Sequence, residues 1–129
     1  MKKLFFHIII ILFISISIHS QSYKYAWLSD THIGAPGAEN DLQNVVDDIN
    51  GRDNLSFAIV TGDIAEKGRD DELDSAKQIL DELKIPYLII PGNHDTKWSE
   101  SGLTKFTELW HDDKFSYEIN HQKHIEKPQ

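Results

Sequence analysis

The chain has 129 residues, a length that suits one domain rather than several. It carries 21 acidic and 13 basic residues, a formal net charge of -8 at pH 7, and no cysteine. An acidic surface argues against nonspecific binding to nucleic-acid phosphates or to anionic membranes. The lack of cysteine excludes disulfides, so the stability of the fold must come from a hydrophobic core or from bound metal.

The first 20 residues have the order of an export signal. Two lysines precede an apolar stretch from Leu4 to Ile18, and small and polar residues follow around Ser20. We predict a signal peptide over 1–20 and a secreted or periplasmic protein. An uncleaved anchor is the alternative, but the stretch is only about 15 residues long, and a membrane span needs roughly 20. We therefore expect no stable membrane insertion after cleavage.

Three short apolar runs are spaced along the rest of the chain. They cover residues 23–29, 56–62 and 85–92. The second and third runs are almost continuously apolar, which is typical of strands buried on both faces of a parallel sheet. Pro86 is compatible with a strand because it opens the run rather than interrupting it. We predict a strand at each run.

Helical periodicity fills both intervals between these runs. Apolar residues recur there at spacings of three and four, which places them on one face of each helix. The two faces hold Leu42, Val45, Val46 and Ile49, and then Leu73, Ala76, Leu80 and Leu83. We also predict a helix over 103–110, a strand over 114–120, and no element in the polar residues 121–129. The order predicts an α/β fold, β-α-β-α-β, with helices flanking a mostly parallel sheet.

A charge-rich segment, residues 66–77, overlaps the start of the second helix. Asp70, Asp71 and Glu72 fall in the first predicted turn, where the helix dipole favours negative charge. A binding patch is one interpretation of this segment. We favour the other interpretation, a solvated helix face.

Polar side chains follow each predicted strand at the point where the strand ends. They are Asp30 and His32, then Asp63, then Asn93, His94 and Asp95. Ligands of open α/β sheets bind beyond the carboxyl ends of the strands. Three neighbouring parallel strands would therefore bring these residues to one edge of the sheet. Gly62 and Gly92 would allow tight turns that aim the side chains at a shared point.

This set of side chains combines carboxylate and amide oxygens with imidazole nitrogens. Such a mixture suits Mn, Fe or Zn and differs from the all-oxygen site of calcium. A central carboxylate can bridge two ions, and two ions about 3.5–4 Å apart can clamp a phosphoryl group and generate hydroxide at neutral pH. An acidic chain is thus compatible with a phosphorylated substrate, because bound ions supply local positive charge.

Taken together, the three motifs resemble those of the calcineurin-like metallophosphoesterase superfamily. D-x-H at 30–32, G-D at 62–63 and G-N-H-D at 92–95 occur in this order, each after a predicted strand. The resemblance covers residues 23–120, and we predict a partial calcineurin-like phosphoesterase domain over 21–129. It implies that the β-α-β-α-β unit is half of a βαββ-type sandwich, with helices outside and two divalent metal ions.

The resemblance also implies a role for each site residue. Asp30 and His32 would bind the first ion. Asp63 would bridge the two ions, and Asn93 would bind the second. His94 would contact the phosphate and protonate the leaving oxygen as a general acid. The implied activity is hydrolysis of phosphate mono- or diesters by metal-activated hydroxide, with a phosphoester as substrate.

Ordinary structural roles are the alternative for these residues. Asp30 and Asp63 are residue types that also favour turns and helix N-caps, and Asn93 could simply form a turn after a glycine. His32 could be a loop imidazole without a ligand role.

Two neighbouring features are less determined by the sequence. Asp95 could orient His94, but a capping or turn role fits the sequence equally well. Glu66 and Lys67 stand where the protein-phosphatase branch of the family carries acidic and arginine residues, and the match is inexact.

The resemblance is incomplete beyond residue 95. The family completes its site with three more histidines, one alone and two in a G-H-x-H motif. The histidines that remain are His111, His121 and His124, and N-H-Q-K-H has neither the glycine nor the spacing of that motif. Four of the seven expected ligands are present, so we predict a truncated fragment with an incomplete site.

Two other interpretations of the incomplete site stay open. The chain could be a non-catalytic exported remnant or pseudoenzyme that binds metal weakly at most. It could also assemble with a missing C-terminal half or a partner chain that carries the remaining histidines. The motifs leave the class of phosphoester open, and the acidic charge makes nucleic acid an unexpected partner.

Overall fold

The computed structural model describes residues 22–111 and the backbone of residues 118–119 and 122–123. The predicted signal peptide over 1–20 lies outside the described residues, as does most of the predicted strand over 114–120. Within the described part of the chain, no helix is both long enough and apolar enough to cross a membrane.

Strands and helices alternate in the predicted order. They are β1 (Tyr25–Ser29), α1 (Ala38–Asn50), β2 (Phe57–Thr61), α2 (Asp70–Leu80), β3 (Tyr87–Ile90) and α3 (Thr104–Trp110). Two short strands follow, β4 (Glu118–Ile119) and β5 (Gln122–Lys123), and they pair antiparallel. The expectation of no element in 121–129 is therefore wrong, because a two-residue pairing needs backbone hydrogen bonds but no apolar face.

The three long strands form one parallel sheet in the order β1-β2-β3. Leu28, Val60 and Ile89 lie in one row across the sheet and belong to the hydrophobic core. On β1 the alternate positions face outward, and Trp27 is 70% exposed. Trp27 is tied to the neighbouring strand by a hydrogen bond of 2.9 Å from its Nε1 to Thr61 Oγ1. The predicted α/β fold with a parallel sheet is confirmed.

All three helices contribute side chains to this core. The buried residues are Leu42, Val46 and Ile49 of α1, Leu73, Ala76 and Leu80 of α2, and Phe106 of α3. They are nearly the set that the helical periodicity predicts. Val45 differs because it is 40% exposed. Leu83 differs because α2 ends at Leu80, and Leu83 packs partly buried against the core from the segment after the helix. Burial of these side chains holds the helices against the sheet and so fixes the ends of the strands.

A hydrogen-bonded tyrosine joins the start of β3 to the end of α2, which precedes the strand, and to α3, which follows it. The hydroxyl of Tyr87 donates to Asp81 Oδ1 and accepts from Trp110 Nε1, both at 2.9 Å. Burial raises the pKa of Tyr87, so the hydroxyl keeps its proton and remains a donor to Asp81. The start of β3 is thereby held in place, and with it the loop that follows the strand.

Candidate metal centre

The loops after β1 and β2 run side by side beyond the sheet. The backbone N–H of His32 donates to Asp63 O at 3.1 Å, and that of Ile33 donates to Ile64 O at 2.7 Å. These bonds extend the pairing of the two strands past their last residues. The sequence motifs D-x-H and G-D are therefore held next to each other by backbone contacts.

Asp30, His32 and Asp63 converge at this edge of the sheet. One potential ligand atom from each side chain lies within 4.8 Å of the other two. Two carboxylates and one imidazole suit a divalent ion of the Mn, Fe or Zn class. The donor chemistry and the spacing thus fit a metal ion, and the three residues would hold it.

The same three residues have strained backbone conformations. Asp30, His32 and Asp63 have φ angles of 54°, 46° and 40°. Non-glycine residues seldom adopt the left-handed region, and each such conformation costs on the order of 1–3 kcal/mol. Strain of this kind persists where the surrounding structure enforces it, and it is concentrated at functional sites.

Two glycines shape the turns for different reasons. Gly62 has a φ of 64°, which a glycine adopts at little cost. Gly92 has no such φ, but a Cβ built at this position would lie 2.2 Å from both the backbone N and Oδ1 of Asp63. Gly92 therefore lets two loops approach closely, while its N–H and carbonyl bond to Asp95 and Thr96 within the turn.

His94 lies next to this cluster, at the end of β3. Its ring centroid is 5.4 Å from that of His32, and its backbone N–H donates to Asp63 Oδ1 at 3.2 Å. Its Nδ1 is 2.6 Å from the backbone carbonyl of Glu66. A carbonyl can only accept, so Nδ1 carries a hydrogen and Nε2 is left for exchange with a substrate. The general-acid role of His94 stays a prediction with a suitable geometry.

Asn93 precedes His94 in the same turn and has an exposed side chain. Its backbone carbonyl accepts a hydrogen bond of 2.9 Å from the N–H of Trp98. This bond closes the turn and holds Trp98, which is 63% exposed, with its ring 5.2 Å from the His94 ring. The assignment of Asn93 as a metal ligand stays a prediction.

Asp95 is fully buried and connects two of the three loops. Its Oδ1 accepts from Ala65 N at 2.8 Å, and its Oδ2 accepts from Gly92 N at 2.8 Å. The N–H of Ile64 is 3.0 Å from both oxygens. Sequence reasoning left two roles open, orientation of His94 or a cap or turn role. The observed bonds support the turn role, since Oδ2 accepts from Gly92 three residues earlier, and they support neither orientation of His94 nor a helix cap. Asp95 also fastens this turn to the loop after β2.

Two glutamates have roles that sequence reasoning did not identify. The carboxylate of Glu66 lies 2.9 Å from Nδ1 of His32. Glu72 is only 7% exposed, and its Oε2 accepts from the N–H groups of Lys67 and Arg69. The interpretation of residues 66–77 as a solvated face is therefore wrong at Glu72. The spacing R-x-x-E was the available signal, because a glutamate at the third helical position commonly bonds back to the N-cap backbone.

A cleft of about 490 Å³ opens between β1 and α1. Its lining includes Asp30 together with Trp27, Asp41 and Val45, but not His32, Asp63 or His94. Asp30 is thus the one cluster residue that lines the cleft, and the proposed acid His94 does not line it. We therefore base the functional argument on the cluster itself.

Comparison with known proteins agrees with this geometry. The sequence profile described as calcineurin-like phosphoesterase matches residues 23–126. A glycerophosphodiester phosphodiesterase, GpdQ, of Enterobacter lignolyticus is 38% identical over 79 residues, which are 60% of this chain and 26% of that protein. A probable cyclic nucleotide phosphodiesterase of Vesicomyosocius okutanii is 33% identical over 79 residues, 61% of this chain and 30% of that protein. The matched segments thus span less than a third of these curated relatives.

We expect Asp95→Asn to destabilise the protein. The amide would replace one acceptor oxygen with an NH2 group, which would face a backbone N–H among the groups of Ile64, Ala65 and Gly92. A buried donor left without an acceptor costs about 1–3 kcal/mol. Urea denaturation measures the change, and Asp53→Asn, at an exposed loop position, is the matched control. Equal free energies of unfolding for the two variants would contradict the role of Asp95.

Proposed function

Because the chain belongs to the calcineurin-like phosphoesterase family, we propose that it forms part of a metal-dependent phosphodiesterase. The observation that carries this proposal is the convergence of Asp30, His32 and Asp63 within 4.8 Å at the carboxyl ends of parallel strands. The names of the two relatives, a glycerophosphodiester phosphodiesterase and a probable cyclic nucleotide phosphodiesterase, favour diesters over monoesters.

In the proposed mechanism the three clustered residues hold the metal, and His94 acts on the leaving group. Asp30 and His32 would hold one ion, Asp63 would be shared by both ions, and Asn93 would hold the second. When bound, the ions supply positive charge for the phosphate and a nucleophile at neutral pH. The P–O bond to the leaving group breaks, and His94, protonated at both ring nitrogens, gives its Nε2 proton to the departing oxygen. The proton that the attacking water loses replaces it. Water and the diester thereby yield a monoester and an alcohol.

The neighbours of His94 prepare it for this step. The carbonyl of Glu66 holds its Nδ1 at 2.6 Å, and Asp63 Oδ1 accepts from its backbone N–H at 3.2 Å. The first contact ties the imidazole, and the second ties the backbone of His94, to the loop that also carries the proposed bridging ligand. A fixed ring reduces the reorganisation needed for proton transfer.

We also propose that the protein is exported, and that this sequence supplies one part of a larger ligand set. The tripartite pattern of residues 1–20 supports export. The four matching ligand positions and the short coverage of the relatives support a larger protein. The test is the intact mass of the natural product in the exported fraction of its source cells. We expect a chain that lacks residues 1–20 and is heavier than residues 21–129, whereas a mass equal to that segment would contradict the larger protein.

Metal binding is tested by Asp63→Asn. Asparagine tolerates a φ of 40° and keeps an acceptor for the His94 N–H, so the variant folds but loses the charge that holds the ions. At a Mn²⁺ concentration 100 times the dissociation constant, binding stabilises the wild-type protein by about 2.7 kcal/mol. Thermal denaturation with and without Mn²⁺ should show this gain in the wild type and in Asp53→Asn, but not in Asp63→Asn. If the melting temperature of the wild-type protein does not change when divalent metals are added, the proposed metal dependence is overturned.

The acid role is tested by the leaving-group dependence of His94→Ala. p-Nitrophenolate leaves without protonation, whereas an alkoxide requires it. We expect the variant to lose roughly 10²–10⁴-fold in rate on a glycerophosphodiester and much less on bis(p-nitrophenyl) phosphate. Steady-state rates on both diesters with Mn²⁺ measure the difference. An equal loss on the two substrates would show that His94 does not donate the proton, and a wild-type protein inactive on both would refute the activity of this chain.

A further inference from the structure

One residue contacts both histidines of the site. The carboxylate oxygen Oε2 of Glu66 lies 2.9 Å from Nδ1 of His32, and the backbone carbonyl of Glu66 lies 2.6 Å from Nδ1 of His94. The two rings are 5.4 Å apart and nearly perpendicular, with an interplanar angle of 89°. Glu66 itself is anchored to the loop after β1, since its N–H donates to Ile33 O at 2.9 Å.

We propose that Glu66 is a positioning residue for the metal site. Its carboxylate accepts the Nδ1 hydrogen of His32 and so leaves Nε2 as the nitrogen that binds the ion. This inference rests on the proposed function, because it takes His32 to be a ligand. Glu66 makes two separate contacts. Its side chain positions the ligand His32, and its backbone carbonyl holds His94.

The surroundings of His32 Nδ1 support this assignment. Among residues 22–111, this nitrogen is the buried side-chain polar atom that lacks an aligned hydrogen bond. A buried polar atom without a partner is destabilising. Glu66 Oε2 is already at hydrogen-bond distance, so the bond that we propose needs a change of angle and not of distance. A histidine that binds a metal through one nitrogen commonly donates through the other to a carboxylate.

The contribution of Glu66 is orientation rather than charge attraction. The side chains of His32 and Glu66 are 33% and 39% exposed, so water screens the interaction between them. A carboxylate can only accept, and its position therefore selects the ring tautomer. A fixed tautomer and a fixed ring lower the ordering cost of metal binding.

Mutation can distinguish the side-chain contact of Glu66 from its backbone contact. Substitution at this position removes the contact to His32, while the backbone carbonyl that holds His94 remains. Glu66→Ala removes the acceptor, and Glu66→Gln keeps one through its amide oxygen. Glu108→Ala is the matched control, because it deletes an exposed carboxylate of the same charge from α3.

The first measurement needs no metal. Long-range ¹H–¹⁵N NMR spectra of the metal-free proteins report the tautomer of each imidazole. We expect the Nδ1–H form for His32 in the wild type, in Glu66→Gln and in Glu108→Ala, and a shift towards the Nε2–H form in Glu66→Ala. His94 is the internal reference and should keep Nδ1–H in all four proteins. A wild-type His32 in the Nε2–H form would overturn the proposal.

The second measurement is the affinity for Mn²⁺ by calorimetry. Loss of such a partner typically weakens metal binding roughly 10–100-fold, and we expect this loss for Glu66→Ala but not for Glu66→Gln or Glu108→Ala. Equal affinities for Glu66→Ala and Glu108→Ala would overturn the positioning role. If the tautomer changes as expected but the wild type binds no Mn²⁺, the proposed metal function fails and the hydrogen bond between Glu66 and His32 stands.

Discussion

The buried carboxylate of Asp95 is the contact on which the geometry of the site depends. It accepts backbone N–H groups from Ile64, Ala65 and Gly92, at distances from 2.8 to 3.0 Å. These donors belong to two loops that follow different strands. A carboxylate removed from water is stable only when such donors surround it, so the loops cannot separate without exposing unpaired groups on both sides. The relative position of Asp63 and His94 follows from this arrangement.

The proposed ligands are held in unfavourable conformations by backbone contacts between the loops after β1 and β2. Asp30, His32 and Asp63 each have a positive φ, although none of them is a glycine. The bonds from His32 N to Asp63 O and from Ile33 N to Ile64 O restrain both chains at once. Packing of the helices on the sheet secures the strands from which these loops start. Backbone strain at the site is therefore balanced by contacts outside it, as expected where ligands are placed before an ion arrives.

The elements of the fold were predictable from sequence because their signals are local. The periodicity of Leu42, Val46 and Ile49 and the apolar runs at 56–62 and 85–92 correspond to the observed α1, β2 and β3. The candidate ligands were predictable for a related reason, since each polar cluster directly follows a strand. Topology alone then places the carboxyl ends of neighbouring parallel strands at one edge of the sheet.

The contacts that hold the site in place were not predictable in the same way. Asp95 bonds to residues about 30 positions earlier in the chain, and nothing in the local sequence distinguishes this from a cap or a turn. The side chain of Glu66 lies next to His32, in the loop after β1. Glu72 is buried, although the charge-rich segment 66–77 predicts a solvated face. These roles depend on which loops become neighbours, and a single sequence does not specify the distances between them.

The close approach at Gly92 has a consequence for the comparison of related chains. A Cβ there would lie 2.2 Å from two atoms of Asp63, so any side chain at this position requires the loop after β2 to retract. A single methyl group would thus displace the proposed bridging carboxylate without altering any ionisable group. In a homologous chain, a non-glycine residue at this position therefore indicates a distorted or lost metal centre, even where all the proposed ligand residues are retained.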